Sequence, residues 1–569
     1  MQVKYLKLGV VFGAAILAGY AAAASPPPMP LKPDAEAALA AAGAAPSVAD
    51  RIRDDLAYIA DDARRGRDTG SEGFLDAARY VAARYKAEGL APGAGGDWLQ
   101  NVPFLVARRD VDGSGFELAF PNGEKQALVK LDDFMVGRSF ASPTFSVAAP
   151  LVFVGYGVVD QITGRDDYAG VDARGKIAVV LDGAPPLGDT EREAYFSSGA
   201  TKEQIAAAHG AVGLVTIVTK SSEERRSWRM RQSRAAMPAM TWIGPSGEPY
   251  AAAPGILATA MLSDSGAEKL FRATAHHFDE LRAAEAAGSP IAVFDLPEKA
   301  MIKGASSFEK ISSANVVAMI KGSDPKLQDE AVVFSAHLDH LGERAQEDGG
   351  DGIYNGALDN GIGVTIMLAV AHEFKEGPPP RRTIYFVAQT AEEKGLLGSD
   401  YFAHFPTVGG RRIVANVDID MPLVLYHFTD VVAFGAEHSS LGDVVENAAK
   451  SMGIALIQDP MPEESIFTRS DHYSFVKQGV PAVFLFPGFG NGGEKIFRDF
   501  MRTTYHKPSD DLSQPIKYDE AARFAELNYR VARRIADDDK APTWNKGDFF
   551  GDLFSKPSNE SRKRASLSH

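Results

Sequence analysis

From Asn315 onward, short and almost wholly apolar runs alternate with helical stretches, and this pattern limits the fold more tightly than any other feature of the chain. The runs are NVVAMI (315–320), AVVFSA (331–336), TIYFVA (383–388), IVANVDI (413–419) and PAVFLF (481–486). Between them, stretches such as Val364 to Phe374 and Leu441 to Met452 carry apolar residues at helical spacing. A strand that is apolar on successive residues has to be covered on both faces. The alternation therefore predicts an α/β fold, a three-layer sandwich whose mostly parallel central sheet lies between helices. Ligands of such sheets collect at the carboxyl ends of the strands, so the residues there carry the functional argument.

Two helical stretches precede this region. One carries Val48, Ile52, Leu56 and Ile59; the other carries Phe74, Ala78, Val81 and Tyr85 and closes at Gly89. Between about Lys130 and Gly304 the pattern changes to short strands, PLVFVGYGV (150–158), KIAVVL (176–181) and GLVTIV (213–218), with one helix near Lys202 to Ala208. This reads as a β-rich unit inserted into the α/β domain. The expected division is 25–130 for the first part of that domain, 131–304 for the insert, 305–540 for the main part and 541–569 for a mobile tail. At the start, Lys4 and Lys7 precede the apolar run Leu8 to Leu17, then small residues Ala21 to Ala24 and a proline cluster. That order is expected of a cleaved secretory signal over 1–24, and hence of export to a periplasm or beyond. Tyr20 stands where a lipoprotein signal has its lipidated Cys, and no other segment approaches membrane-spanning length.

The chain has 60 Lys+Arg against 75 Asp+Glu, a net charge of −15, which argues against a general nucleic-acid binder. It has no cysteine, so disulfides, thiolate zinc sites, iron–sulfur clusters and cysteine nucleophiles are all excluded. Any metal must be held by His, Asp and Glu. Such residues gather at the strand ends. His337 and Asp339 follow AVVFSA, and Asp359 sits at a Gly-rich turn leading into a helix. Glu392 and Glu393 follow TIYFVA, Asp418 and Asp420 stand at the strand end in IVANVDIDMP, and Tyr505 and His506 lie in a loop after the last apolar run. Each alone has an ordinary structural explanation as a cap, a loop contact or a solvated pair. Together His337, Asp359, Glu393, Asp420 and His506 form a carboxylate and imidazole set suited to zinc and tolerant of cobalt or manganese. Five ligands exceed what one open zinc site needs; two metals about 3.5–4 Å apart and sharing a carboxylate fit better. Glu392 is then a spare acid able to take a proton from metal-bound water, and Asp339 is expected to accept the second imidazole N–H of His337.

The series HLDH, NGALDN, AEEKGLLGS, DIDMP and YHKPSDD resembles the co-catalytic di-zinc exopeptidase family that includes secreted bacterial leucyl-type aminopeptidases, glutamate carboxypeptidase and glutaminyl cyclase. The resemblance covers about Ala331 to Leu512, the helices near Asp50 to Leu90 fit the family's start, and the middle region is similar to a protease-associated domain. It implies that His337 and Asp420 hold one zinc, Glu393 and His506 the other, and Asp359 bridges both. It also implies that Glu392 is the general acid/base for a bridging hydroxide and that Tyr505 helps hold the tetrahedral intermediate. His506 is favoured over His472 as ligand, and His340 reads as structural or outer-shell. The activity implied is a secreted aminopeptidase acting on peptides with a free N-terminus. A carboxypeptidase or dipeptidase would need a basic pocket, for which Arg381, Arg382, Arg411 and Arg469 are candidates. Glutaminyl cyclisation fits less well, because that branch lacks the insert. A binding or scaffolding protein predicts missing ligands, and the set is intact. The insert is expected to act as a lid or substrate-shaping wall.

Overall fold

The first helix, α1 (Val48–Ile59), starts at a reciprocal cap in which Ser47 and the Asp50 side chain satisfy each other's backbone N–H groups. With α2 (Glu72–Ala87) it buries the apolar residues that the helical spacing selects, among them Ile52, Leu56, Phe74, Val81 and Tyr85. This computed structural model describes residues 46–345 and 349–555, so the expected signal over 1–24 lies outside the described residues. Strand β1 (Leu99–Ala119) leads into the middle region, which contains β2 (Phe134–Val136), β3 (Thr144–Phe153), β4 (Ile177–Leu181), α3 (Thr190–Ser197), α4 (Gly199–Ala208), β5 (Gly213–Ile217) and β6 (Ala258–Leu262). Strand β7 (Phe294–Ile320) returns from it to β8 (Glu330–His337), α5 (Ile362–Glu376), β9 (Thr383–Gln389) and β10 (Arg412–Asp418). The chain continues through β11 (Asp430–Phe434), β12 (Ala455–Ile457), β13 (Ala482–Pro487), α6 (Gly493–Thr503), α7 (Tyr518–Asp537) and α8 (Phe549–Phe554).

The strands form one sheet in the order β12-β11-β13-β10-β8-β9-β7-β3-β4-β5-β6-β2. Its centre, β9-β8-β10-β13, is parallel, and β7 and β11 flank it antiparallel. Every residue of β9 is buried, as the apolar run requires. Helices α1, α5 and α7 pack in the core on one face; Phe402 and Phe475 cover Val317, Val333 and Tyr385 on the other. The fold is thus the mixed α/β sandwich with a mostly parallel sheet that the alternation implies. The middle region is not separated from it by a loop. β1 and β7, 21 and 27 residues long, run antiparallel through both parts. Phe116, Leu118, Ala300 and Ile302 lie in the core of the middle region, whereas Val316 and Ala318 belong to the main core.

The expected mobile tail begins too early at 541. Trp544 donates its indole N–H to the Gly479 carbonyl at 2.9 Å, and Asp548 caps α8 by accepting the Gly551 N–H at 2.7 Å. Phe550 is then buried against Phe467, His438 and Tyr195. Aromatic residues spaced to share one face of a short helix dock on apolar surface, which a polar tail cannot do. His438 ties this segment to the middle region: its Nδ1 lies 2.6 Å from Asp548 Oδ2 and its Nε2 2.6 Å from Glu191 Oε2 at the start of α3.

Burial disfavours the His438 imidazolium, but the hydrogen bonds and charges of Asp548 and Glu191 outweigh it and raise the pKa to about 10. Because the folded value lies above the ordinary one, the stabilisation is complete below pH 6.5 and is lost as pH rises through about 10. His438→Gln is therefore expected to cost about 3–5 kcal/mol at pH 6, since it leaves two carboxylates facing each other without the cation. Urea melts of both proteins from pH 6 to pH 10 should show that difference shrinking steadily. A pH-independent difference would mean that the ring acts by packing alone.

Candidate metal centre

The carboxyl ends of β8, β9 and β10 bring the candidate ligands to one place. His337 is the last residue of β8, and the loop after β10 turns at Met421, whose φ is +44°, to present Asp420. Ala391 and His506 also adopt left-handed backbone, at φ +57° each, beside or within the site. Such conformations cost non-glycine residues on the order of 1–3 kcal/mol, and they persist here because the surrounding hydrogen bonds fix them.

Asp359 is the hinge of the arrangement. One of its oxygens lies 3.3 Å from His337 Nε2 and the other 3.2 Å from His506 Nε2. His337 Nε2 also lies 3.1 Å from Asp420 Oδ1, and His506 Nε2 lies 3.5 Å from Glu393 Oε2. Two donor groups therefore share Asp359: His337, Asp359 and Asp420 on one side, and His340, Asp359 and Glu393 on the other, with His506 beside the second. His340 is a residue whose direction the motif HLDH does not reveal. It is fully buried, with Nδ1 2.7 Å from Glu393 Oε1. Among the described residues neither of its ring nitrogens nor Glu393 Oε1 has a well-aligned hydrogen-bond partner. Buried imidazoles and carboxylates left in this state, facing one another around a common carboxylate, suit a pair of divalent cations such as zinc.

A layer of polar contacts holds these groups. Asp510 accepts the N–H groups of Leu358 and Asp359 at 2.9 and 3.0 Å, and burial raises its pKa to about 6. Asn360 donates to the Ile419 carbonyl and accepts the Met421 N–H, which ties the Asp359 turn to the Asp420 turn. Arg67, fully buried, donates to the carbonyls of Ile59, Leu338, Asn355 and Gly356, so one guanidinium sets the backbone on both sides of the site. Ser470 bridges Asp418 and Asp420 with contacts of 3.0 and 2.8 Å. Asp418, which shares Asp420's motif, stays beneath the site bonded to Ser335, and burial beside Asp420 pushes its pKa up to about 7.

Asp339 departs from its expected role. His337 Nδ1 lies 3.1 Å from the main-chain carbonyl of Asp339, not from its carboxylate. That carboxylate instead accepts the Glu392 N–H at 3.0 Å and the Thr69 hydroxyl at 3.0 Å. Two residues along the chain, a main-chain oxygen reaches the ring more directly than the side chain, which is left free to fix the turn that carries Glu392. His472 is buried away from the cluster against Phe467 and Phe484, and burial lowers its pKa to about 3. Of the four candidate arginines only Arg469 lines the cavity at the site; Arg381 and Arg382 bind the end of α7, and Arg411 binds Val408 and Gln328.

That cavity has a volume of about 470 Å³. His337, Asp359, Glu392, Asp420, Tyr505 and His506 form one wall, and Met421, Phe434, Phe484, Phe486, Phe497 and Met501 form an apolar one. Glu392 is half-buried, and desolvation together with the charges of Glu393, Asp420 and Asp471 holds its carboxyl well above the ordinary range. Tyr505 stacks on His506 with ring centroids 3.8 Å apart, and burial raises its pKa far above that of a free phenol.

A paired imidazole and carboxylate centre thus stands at the strand ends of an α/β sandwich, beside an apolar pocket and the half-buried acid Glu392. Residues 315–532 match the model of peptidase family M28. Aminopeptidase Y of Saccharomyces cerevisiae is 28% identical over 218 residues, 36% of this chain and 36% of that protein. Carboxypeptidase Q of Rattus norvegicus is 33% identical over 118 residues, 20% of this chain and 22% of that protein. The chain thus spans only about a third of the first relative's length and about a fifth of the second's. Among solved structures, an aminopeptidase from Aneurinibacillus sp. strain AM-1 aligns with 20% identity over 87% of this chain and 95% of its own, at a TM-score of 0.46.

Proposed function

We propose that this chain is an exported, zinc-dependent aminopeptidase that removes N-terminal residues from peptides. The observation that carries the proposal is Asp359, with one oxygen toward His337 and the other toward His506, beside the half-buried Glu392. In this reading His337, Asp359 and Asp420 hold one zinc, and Asp359, Glu393 and His506 hold the other. When bound, the metal pair supplies polarisation of the scissile carbonyl and an acidified water.

Glu392 takes the proton of the attacking water and returns it to the leaving amine, and its raised pKa suits both halves of that task. Asp339 holds the Glu392 backbone, so the acid swings little. Tyr505, which stays protonated at working pH, donates its O–H to the developing oxyanion. The apolar wall from Met421 to Met501 favours large apolar N-terminal side chains. Export is supported by the signal-like residues 1–24, and among the described residues no helix is long and apolar enough to cross a membrane.

A second reading, a carboxypeptidase or dipeptidase, is favoured by Arg469, Arg498 and Arg502 at the same cavity and by the similarity to a carboxypeptidase. Each of those arginines already has a carboxylate partner, Glu464, Glu494 and Asp499 respectively, whereas Glu463 lines the same cavity and can face an ammonium group. The aminopeptidase reading is therefore preferred. Leucyl and phenylalanyl anilides should be hydrolysed at least about 100-fold faster than their N-acetylated forms, a difference of nearly 3 kcal/mol in transition-state binding. Equal rates would sink the free-amine requirement, and cleavage confined to peptides with a free C-terminus would favour the second reading.

A further inference from the structure

In a chain of net charge −15, a cluster of cations in which most lack an acidic partner is unexpected, and the middle region contains one. Five arginines, Arg109, Arg138, Arg226, Arg231 and Arg234, line a separate cavity of about 330 Å³ between β1, β2, β6 and the segment 226–235. Arg231 is paired with Asp182 at 3.1 Å. Among the described residues, no ion pair or side-chain hydrogen bond is found for Arg109, Arg226 or Arg234, while Arg138 donates only to the carbonyls of Ala235 and Met237. The Nε atoms of Arg109 and Arg138 are buried without a partner. Glu203 is the one carboxylate lining this cavity, one acid against five arginines, and burial raises its pKa.

Two further features favour an anion here. Helix α4 begins at the cavity with Gly199, and its Ser198 makes no side-chain cap, so the helix presents uncapped N–H groups and the positive end of its dipole. The cations also repel one another: burial and Arg138 lower the Arg109 pKa to about 10, and burial, Arg231 and Arg234 lower that of Arg226. A bound anion would relieve the desolvation and the repulsion together.

We propose that this cavity is a binding site for a compact oxyanion carrying two or more negative charges, held by Arg109, Arg138 and the arginines of 226–234 beside the start of α4. Phosphates and polycarboxylates share that chemistry. The test is calorimetric titration of the full chain with inorganic pyrophosphate and, in a second arm, with tricarballylate, both at constant ionic strength. One saturable site with Kd on the order of 0.1 mM or tighter is expected, weakened at least about tenfold in the double variant Arg109→Gln, Arg138→Gln. The tighter of the two ligands identifies the natural class. Heats no larger than those of sodium chloride, or identical isotherms for wild type and double variant, would overturn the proposal. The Arg109 side chain has no hydrogen bond to lose, so Arg109→Gln should melt no lower than wild type without anion. A lower melting temperature would mean that this guanidinium already serves the fold, and would count against the site.

Discussion

Glu392→Gln is expected to lower kcat for a leucyl anilide by about 10³-fold while KM changes by less than about threefold. The substitution keeps the size of the side chain and the 3.0 Å hydrogen bond from the residue's own N–H to Asp339, because that bond belongs to the backbone. It removes only the ability to accept a proton. Metal content measured on the purified variant should equal that of wild type, since Glu392 belongs to neither donor group. This combination separates proton transfer from metal binding. A fall of less than tenfold would place the proton acceptor elsewhere, and a loss of metal would make Glu392 a ligand.

Asp359→Asn should have the broader effect, because Asp359 faces both His337 and His506. Asparagine offers one oxygen and no charge, so it cannot serve two cations. Metal affinity is expected to fall by at least about 100-fold, more than the loss of an outer contact causes, and hydrolysis should disappear at micromolar zinc. The carboxylate is buried, and the imidazoles of His340, His337 and His506 hold its pKa well below the ordinary value despite desolvation. Because the depressed pKa means that the ionised carboxylate stabilises the fold, the apo form of the variant should melt below wild-type apo protein at pH 7. Two metals retained per chain would refute the bridging role.

The centre of the fold was legible because its strands are buried on both faces, and such strands announce themselves as continuous apolar runs; β8 and β9 are examples. β1 and β7 were not. The sequence of β1 includes Arg108, Arg109, Asp110 and Asp112 among its residues, its exposure alternates, and its partner lies some two hundred positions along the chain, as in the pairing of Leu99 with Val316. Local patterning carries no trace of so distant a pairing.

The candidate ligands were legible for a different reason. A metal centre needs particular side chains at particular strand ends, and His337, Asp359, Glu393 and Asp420 stand in motifs that put them there. What supports them was hidden. Arg67 acts through carbonyl groups and Asp510 through backbone N–H groups, so no residue type at the receiving end marks the contact. The Asp339 carboxylate and main chain exchange their expected roles for the same reason: spacing gives proximity, and only the turn decides which oxygen arrives first.

The most direct test is zinc titration of the chelator-stripped full chain, following bound metal and leucyl anilide hydrolysis in the same samples. The account expects no hydrolysis by the stripped chain, and full activity only as the second zinc per chain is taken up at the site around Asp359. Full activity in the stripped chain, or two tightly bound zinc ions with no hydrolysis of any free-amine substrate, would contradict it.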